Sequence, residues 1–351
     1  MSRHFPSRRG CGMIARGERR WCMKTTRWAS VHDELLKTML DFFPGKNGDT
    51  VYHYTSLDVL WEFLRPDYDF LCTYCKALSD PTEFKTGMFA CTRMWREFCG
   101  GNSDKFLIPL SGANVLSGDS GLNFFPWTMS FSLDSDRTSQ WKNYTDKMKG
   151  GCAVGFDKDK ILTNIFYVSD DESMPFPKSN GEATRDLLRN DFISFLPCIY
   201  MGYDDADRIR GLFRYCMTEV VGELTAKLSG GGNEDERARN TAQTLIFLLL
   251  SSIIKHEDFK DEREWRLIVQ PIESSEDVEA VSIVGGKPRV KTRVWGNKQK
   301  VRDLIRRIVI SPQGPSDNLL ETANLFVALR GLKNGNGPLV VPSESPYRGE
   351  L

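Results

Sequence analysis

Short apolar runs separated by polar turns recur along most of the chain, and they predict many short strands. Compact or alternating apolar stretches predict strands near 50–54, 68–74, 126–132, 151–156, 197–203, 263–270, 279–284 and 306–311. Apolar residues at helical spacing predict helices over 29–43, 56–64, 84–98, 137–149, 184–195 and 317–332.

The longest helical patterns lie at 206–228 and 235–256, on either side of "SGGGNEDE". The predicted strands do not alternate with crossover helices, which disfavours a doubly wound parallel sheet. We therefore predict an α+β fold with a mixed, mostly antiparallel sheet flanked by helices and a helical insertion at about 204–256. A single domain is expected over 29–333, after a disordered or basic N-terminal extension at 1–28 and before a flexible tail at 334–351.

Charge and cysteine content narrow the classes of function. Lys+Arg and Asp+Glu both number 47, so the formal net charge is zero, which argues against an extended nucleic-acid or membrane surface. The most apolar run, "TLIFLLLSSII", is shorter than the roughly 20 residues that span a bilayer. No apolar segment follows the basic N-terminus, so a cytoplasmic protein with reduced thiols is expected. A lone Cys72-x-x-Cys75 pair does not supply four zinc ligands, and we predict no metal site.

The first candidate site follows the strand at 50–54, in "HYTS". Strand alternation places His53 and Thr55 on one face and Tyr54 on the other. A histidine at a strand end can donate to a ligand, although a lone histidine more often completes a hydrogen-bond network within the protein.

The densest charged segment is "KHEDFKDEREWRLIV", at 255–269. On a strand Glu262, Glu264 and Arg266 face the same way, and the arginine can hold a neighbouring carboxylate ionised. Two carboxylates that enter an apolar strand are costly to bury without partners or a task. We therefore expect a functional site here, and the alternative is an exposed strand edge with ion pairs.

Two further segments carry polar or aromatic candidates. Ser130 and Ser132 flank Phe131 on a predicted strand and point to the opposite face. Trp141 and Tyr144 are three apart on a predicted helix and share a side. Such a pair can stack on a planar ligand, but core packing is the commoner reason for it. The turn "SDPTEF" is predicted to start a helix, with Glu83 near its beginning rather than in a catalytic role.

The order of these motifs resembles a large bacterial family of unknown function. Its members share an HYT strand, an N-D-P-x-E turn, a "W..Y…G.c..F" segment and a closing K-H..F-x-x-E-x-E-W-R, and the resemblance runs from about 50 to 312. Ser79 stands where the family usually has asparagine.

A remoter similarity links the same order to ADP-ribosyltransferases, and it implies a split antiparallel sheet and NAD as a substrate. It implies that Glu264 is catalytic, that Glu262 positions an acceptor, and that His53 binds the nicotinamide-side ribose or the amide. Tyr144 would be the aromatic that stacks on nicotinamide. The expected NAD-binding residues are His53, Tyr54, Thr55, Ser130, Ser132, Trp141, Tyr144 and Arg266.

This resemblance implies transfer of ADP-ribose to a protein or nucleic-acid acceptor, or hydrolysis of NAD, by a toxin or phage-defence effector with a partner or antitoxin protein and no membrane. It requires His53 and Glu264 to line one cleft; opposite faces of the sheet would contradict it. One alternative is a non-catalytic interaction module. The other is a metal-dependent nuclease or hydrolase with carboxylate ligands from Glu257, Asp258, Asp261, Glu262 and Glu264.

Overall fold

The computed structural model describes most of the chain, with gaps at loops and at both ends. The described residues are 34–42, 48–66, 68, 70–78, 80, 82–100, 125–145, 149–165, 192–202, 205–228, 234–270, 281–284, 287–292, 301–314, 316–332 and 339–346. The extension predicted at 1–28 lies outside them, as does the predicted helix over 184–191.

Ten of the described strands form one sheet, and two more form a separate parallel pair. The main sheet runs β12-β11-β4-β1-β3-β2-β10-β9, and β8 and β5 extend it from β3. The described strand pairs of the main sheet are antiparallel except β11 with β12, which is parallel. The separate parallel pair consists of β6 and β7. The strands are β1 Thr50–Thr55, β2 Phe70–Tyr74, β3 Trp127–Ser132, β4 Cys152–Asp157, β5 Phe192–Pro197, β6 Ile199–Met201, β7 Ile254–His256, β8 Glu264–Gln270, β9 Val281–Val284, β10 Lys287–Thr292, β11 Ile305–Ile310 and β12 Val340–Pro342.

Helices cover the sheet, and the predicted α+β class is confirmed. A π-helical turn, Cys216–Val220, joins α6 to α7, and a 3-10 turn, Glu257–Glu262, precedes β8. The described helices are α1 34–42, α2 Leu57–Phe63, α3 Glu83–Phe98, α4 Thr138–Tyr144, α5 Lys158–Ile165, α6 Ala206–Tyr215, α7 Val221–Leu228, α8 Glu234–Ile253 and α9 Ser316–Leu329.

The sheet opens where β1 and β2 meet the same edge of β3. β1 pairs with β3 only at Ser132, and β2 pairs with it only at Trp127 and Thr128. The middle of β3 therefore has no paired strand on this edge among the described residues, and the ring of His53 reaches its backbone there. The other edge of β3 is paired with β8 from Trp127 to Ser132.

The two faces of the central strands pack into different cores. Phe131, Trp265 and Leu267 belong to the core under α2 and α9, and we call their side the aromatic face. Ile268 and Leu196 belong to the core under α3, α6, α7 and α8, and we call this side the helical face. Because strand residues alternate between faces, Glu264 and Arg266 lie on the helical face.

The helix predicted over 235–256 is wrong for 254–256, which form β7 in parallel with β6. Two other predicted segments also differ from the observed ones. The helix predicted over 184–195 is wrong for 192–195, because Phe192–Pro197 forms β5 and pairs with β8 from Trp265 to Gln270. The flexible tail predicted at 334–351 is wrong for 339–346, because Val340 pairs in parallel with Ile308 and the Asp136 carboxylate accepts the backbone N–H groups of residues 344 and 345. Both stretches owe their structure to partners far away in the sequence.

None of the helices in the described ranges is long and apolar enough to cross a membrane.

Candidate functional site

Charged side chains from four separate elements meet on the helical face of the sheet. Lys255 of β7 is at the centre, with its Nζ 2.6 Å from Glu83 Oε1, 2.5 Å from Glu262 Oε2 and 2.6 Å from Glu264 Oε2. Arg266 is the second cation. We call this group the ion cluster, and its members are Glu83, Lys255, Glu262, Glu264 and Arg266.

Arg266 ties the ion cluster to the surrounding helices. Its Nε donates to Glu264 Oε1 at 2.7 Å, its Nη2 pairs with Glu83 at the start of α3, and its Nη1 donates to the carbonyl of Ser252 in α8. The guanidinium is only 2% exposed, so these partners replace its water.

The local sequence explains why these groups are brought together. The apolar end of α8 passes into β7 without a loop, so Lys255 enters directly from a buried helix. In β8 the apolar partners Trp265 and Leu267 occupy the aromatic face, which directs Glu264 and Arg266 to the other side. The hydroxyl of Tyr200 in β6 accepts the backbone N–H of Glu264 at 2.7 Å and fixes the start of the strand.

The ion cluster contains three carboxylates and two cations, so its charges do not balance. Burial raises the pKa of Glu264, but Arg266 and Lys255 outweigh this effect and hold that pKa below its ordinary value of 4.5. Burial raises the pKa of Glu262 above the same ordinary value, and Lys255 offsets this only in part while Glu264 adds to it. The charge of the Glu262 carboxylate is therefore less well compensated than that of Glu264.

Tyr144 forms the outer edge of the ion cluster. It is the last residue of α4, the residue is 42% exposed, and its hydroxyl donates to Glu262 Oε1 at 3.3 Å. Burial of the hydroxyl and the nearby Glu262 carboxylate raise the pKa of Tyr144. Glu262 is thus the carboxylate through which the ion cluster reaches the surface at Tyr144.

His53 does not join this site, because it lies on the opposite face of the sheet. Tyr52 is opposite Ser132 and Ser132 is opposite Glu264, so the residue after Tyr52 points to the aromatic face. The ring of His53 lies 5.7 Å from that of Phe63, and its Nδ1–H donates to the carbonyl of Ser130 at 2.8 Å. The expected convergence of His53 and Glu264 in one cleft is therefore wrong, and Thr55 is likewise on the side of His53.

Burial determines the protonation of His53. Burial and, to a smaller extent, the nearby Arg289 lower the pKa of the imidazole to about 4, although the hydrogen bond to Ser130 opposes this shift. The neutral ring bridges the gap between β1 and β3 and has a structural role.

The other candidates divide between the ion cluster and the core. Tyr54 packs edge-on against Trp141 at 4.6 Å, and the indole N–H of Trp141 donates to Asp136. Ser132 donates to the backbone carbonyl of Glu262 at 2.7 Å. Ser130 lies on the helical face and contributes its backbone carbonyl to His53. The structure brings Tyr144, Glu262, Glu264 and Arg266 together, whereas Tyr54 and Trp141 pack behind them.

Sequence reasoning missed two members of the ion cluster. Glu83 was expected only to start a helix, and Lys255 was part of a charged segment without a role. The signal for both was their position inside the shared motifs, since the D-P-x-E turn supplies Glu83 and the segment before E-x-E-W-R supplies Lys255.

Of the proposed metal ligands, Glu262 and Glu264 come together, but on the ammonium group of Lys255, and the other three lie apart from them. Glu257 and Asp258 are exposed on the 3-10 turn, and Asp261 lies 3.6 Å from Arg137 at the surface. Within the described ranges, no group of three or more His, Cys, Asp or Glu is arranged to hold a metal ion. Cys72 and Cys75 belong to different cores, which is inconsistent with a shared zinc.

Comparison with known proteins finds one family. The family described as "Protein of unknown function (DUF2971)" matches residues 140–267, and this range contains Tyr144, Lys255, Glu262, Glu264 and Arg266. No curated protein matches the chain, and no solved structure matches it. The match thus covers most of the ion cluster and names no activity.

Proposed function

We propose that the chain is an enzyme that cleaves the nicotinamide–ribose bond of NAD at the surface formed by Tyr144 and Glu262. The observation that carries the proposal is the ion cluster, in which three carboxylates and two cations from distant segments are buried together. His53 is excluded from the site, and what remains of the similarity to ADP-ribosyltransferases, the late Glu-x-Glu segment, supports NAD as the substrate. The site lacks His53, so the nicotinamide-side contacts would come from Tyr144.

The electrostatics of the ion cluster suit a cationic substrate. Nicotinamide is positively charged while it is attached to ribose, and positive charge moves onto the sugar as the bond breaks. An excess carboxylate in a poorly solvated place stabilises such charge far more than it would in water. The exposed ring of Tyr144 offers a flat surface beside that carboxylate for the nicotinamide to stack on.

Glu262 is a better candidate for the reacting carboxylate than Glu264. Glu264 is bound by both Lys255 and Arg266, so its charge is already neutralised. Among the described residues, Glu262 forms an ion pair with one cation, Lys255, which it shares with Glu264. It also lies next to the exposed Tyr144. Its raised pKa also suits a group that takes up a proton during the reaction.

The proposed reaction balances without a cofactor other than NAD. The bond between the nicotinamide nitrogen and the ribose carbon breaks, and its electron pair leaves with neutral nicotinamide. A hydroxyl of water or of an acceptor attacks the ribose carbon and gives its proton to the Glu262 carboxylate. Water gives ADP-ribose, and a protein or nucleic-acid acceptor gives the transferred product.

The proposal extends to the role of the enzyme in a cell. Uncontrolled consumption of NAD, or uncontrolled modification of a macromolecule, would harm the cell that makes the enzyme. We therefore include in the proposal a toxin or phage-defence effector that is held inactive by a partner protein such as an antitoxin.

Release of nicotinamide from NAD tests this function. The purified chain is compared with Glu262→Gln, and Glu257→Gln is the matched control because Glu257 lies on the same 3-10 turn and is exposed. We expect Glu262→Gln to lower the rate at least about 100-fold, as for loss of a general base, and Glu257→Gln to leave it unchanged. The proposal is overturned if the wild-type chain neither binds NAD nor releases nicotinamide, or if Glu262→Gln is as active as wild type.

A further inference from the structure

The backbone between the two clustered glutamates is in an unusual conformation. Arg263 has φ 45° and ψ 48°, and it is the one non-glycine residue with positive φ among those the structure describes. A left-handed conformation is unfavourable for a residue with a side chain and persists only where its surroundings impose it. Its occurrence between Glu262 and Glu264 calls for a local cause.

Contacts from the end of β3 impose this conformation. The carbonyl of Arg263 accepts the N–H of Leu133 at 3.1 Å, and its guanidinium pairs with Asp134 Oδ1 at 3.0 Å. The hydroxyl of Ser132 donates to the carbonyl of Glu262 and accepts the N–H of Asp134 at 3.1 Å. Residues 132–134 therefore hold both the backbone and the side chain of the turn.

The turn determines where Glu262 points. In an extended strand, residues two apart lie roughly 6.5 Å apart along the chain and follow the strand direction. The left-handed residue instead ends the 3-10 turn at Glu262 and starts β8 at Glu264. The two carboxylates consequently approach one ammonium group, that of Lys255, at 2.5 and 2.6 Å.

We propose that Asp134 and Arg263 are a positioning pair that holds the Glu262 carboxylate against Lys255 and Tyr144. The geometric role of the pair is independent of the proposed function, but its effect on catalysis rests on that function. Neither residue of the pair is expected to touch the substrate. Both act through the turn that carries Glu262.

The first test measures Glu262 directly and needs no activity. The titration of the Glu262 carboxyl is followed by NMR in protein with ¹³C-labelled glutamate, and its signal is assigned from its loss in Glu262→Gln. The carboxyl is faced by Lys255, Tyr144, Glu264 and Glu83, which these variants leave intact. We expect Asp134→Asn and Arg263→Gly to move the titration midpoint by about half a unit or more.

The choice of variants separates positioning from folding. Glycine adopts positive φ freely, so Arg263→Gly removes the ion pair while it relieves the backbone. Arg263→Lys keeps the charge and should restore part of the wild-type midpoint. Arg93→Ala, which breaks the exposed pair of Arg93 with Glu97 at 3.3 Å, is the matched control and should leave the midpoint unchanged.

The second test uses nicotinamide release. We expect Asp134→Asn and Arg263→Gly to lower kcat by about tenfold with KM nearly unchanged, because a misplaced reacting group affects the chemical step more than binding. Wild-type values of both the midpoint and kcat in these two variants would overturn the positioning role. If the wild-type chain has no NAD activity, the proposed function is overturned but the positioning role is not. The titration of Glu262 still tests whether Asp134 and Arg263 position its carboxylate.

Discussion

At the residue scale, the chain buries charge in a pattern that its sequence partly reveals. The alternation of E-x-E-W-R predicted that Glu264 and Arg266 share a face and that the arginine keeps the carboxylate ionised, and the structure has this arrangement. The role of Lys255 could not be predicted, because it depends on β7, a three-residue strand whose pairing with β6 is a tertiary contact.

His53 illustrates a second limit of sequence reasoning at this scale. Alternation predicted correctly that His53 and Tyr54 point to opposite faces. It could not predict which of those faces Glu264 shares, because that depends on the register of β1, β3 and β8. The same register places His53 in an apolar setting that favours the neutral ring.

The half-buried, neutral imidazole of His53 predicts a dependence of stability on pH. Because the folded-state pKa of His53, about 4, lies below its ordinary 6.5, its contribution to stability is present above pH 6.5 and is lost as the pH falls towards 4. Between pH 7 and pH 4, wild type should lose about 2–3 kcal/mol more than His53→Asn, which keeps an N–H donor without the charge. Urea unfolding at both pH values measures the difference, and equal losses would show that the ring is not buried in its neutral form.

At the element scale, the long periodic helices and most of the strands were predicted well, whereas β5, β7, β10 and β12 were missed. Helices α3, α8 and α9 follow from apolar spacing along 16, 20 and 14 residues. In contrast, β5 and β12 each depend on a distant partner strand, and nothing in their own sequence outweighs the alternative of helix or loop.

The crossing of α3 and α8 sets the position of the ion cluster, because α3 begins with Glu83 and α8 leads into Lys255. The helices approach closely at Gly87, where a methyl group would lie 1.9 Å from the carbonyl oxygen of Ser251. The backbone of α8 cannot yield at this point without moving the start of β7.

Gly87→Ala is therefore expected to lower the free energy of unfolding by about 3 kcal/mol. Gly222→Ala is the matched control, because it lies near the start of α7 and a methyl group there meets no heavy atom within 4 Å. The control should raise stability by about 0.5–1 kcal/mol through helix propensity. Midpoints of urea unfolding compare the two, and a neutral Gly87→Ala would contradict the close packing of α3 on α8.

At the scale of the whole molecule, one sheet separates two cores and places the ion cluster on the helical side. Composition and strand pattern predicted the α+β class, but the division of the motifs between the two faces required the assembled sheet. The HYT strand contributes a neutral structural histidine to one face, and the other motifs build a charged site on the opposite face. This division is the reason that the proposed function is centred on Glu262 and not on His53.

A functional carboxylate and a structural ion pair differ in what their loss does to folding. Removing Glu262 leaves two carboxylates facing two cations, so the ion cluster becomes neutral. Burial raises the pKa of Glu262 above its ordinary value of 4.5. At any pH above 4.5, ionisation of Glu262 therefore lowers the free energy of unfolding. Removing Lys255 instead leaves three carboxylates beside Arg266 alone, a buried charge imbalance that costs about 3–5 kcal/mol.

Urea unfolding of Glu262→Gln at pH 7, with Lys255→Met as the comparison, decides between these roles. We expect Glu262→Gln to match or exceed the wild-type free energy of unfolding, and Lys255→Met to fall about 3–5 kcal/mol below it. If Glu262→Gln lowers the free energy of unfolding as much as Lys255→Met does, Glu262 stabilises the fold. That result would contradict the claim that the Glu262 carboxylate lowers stability and is present for function.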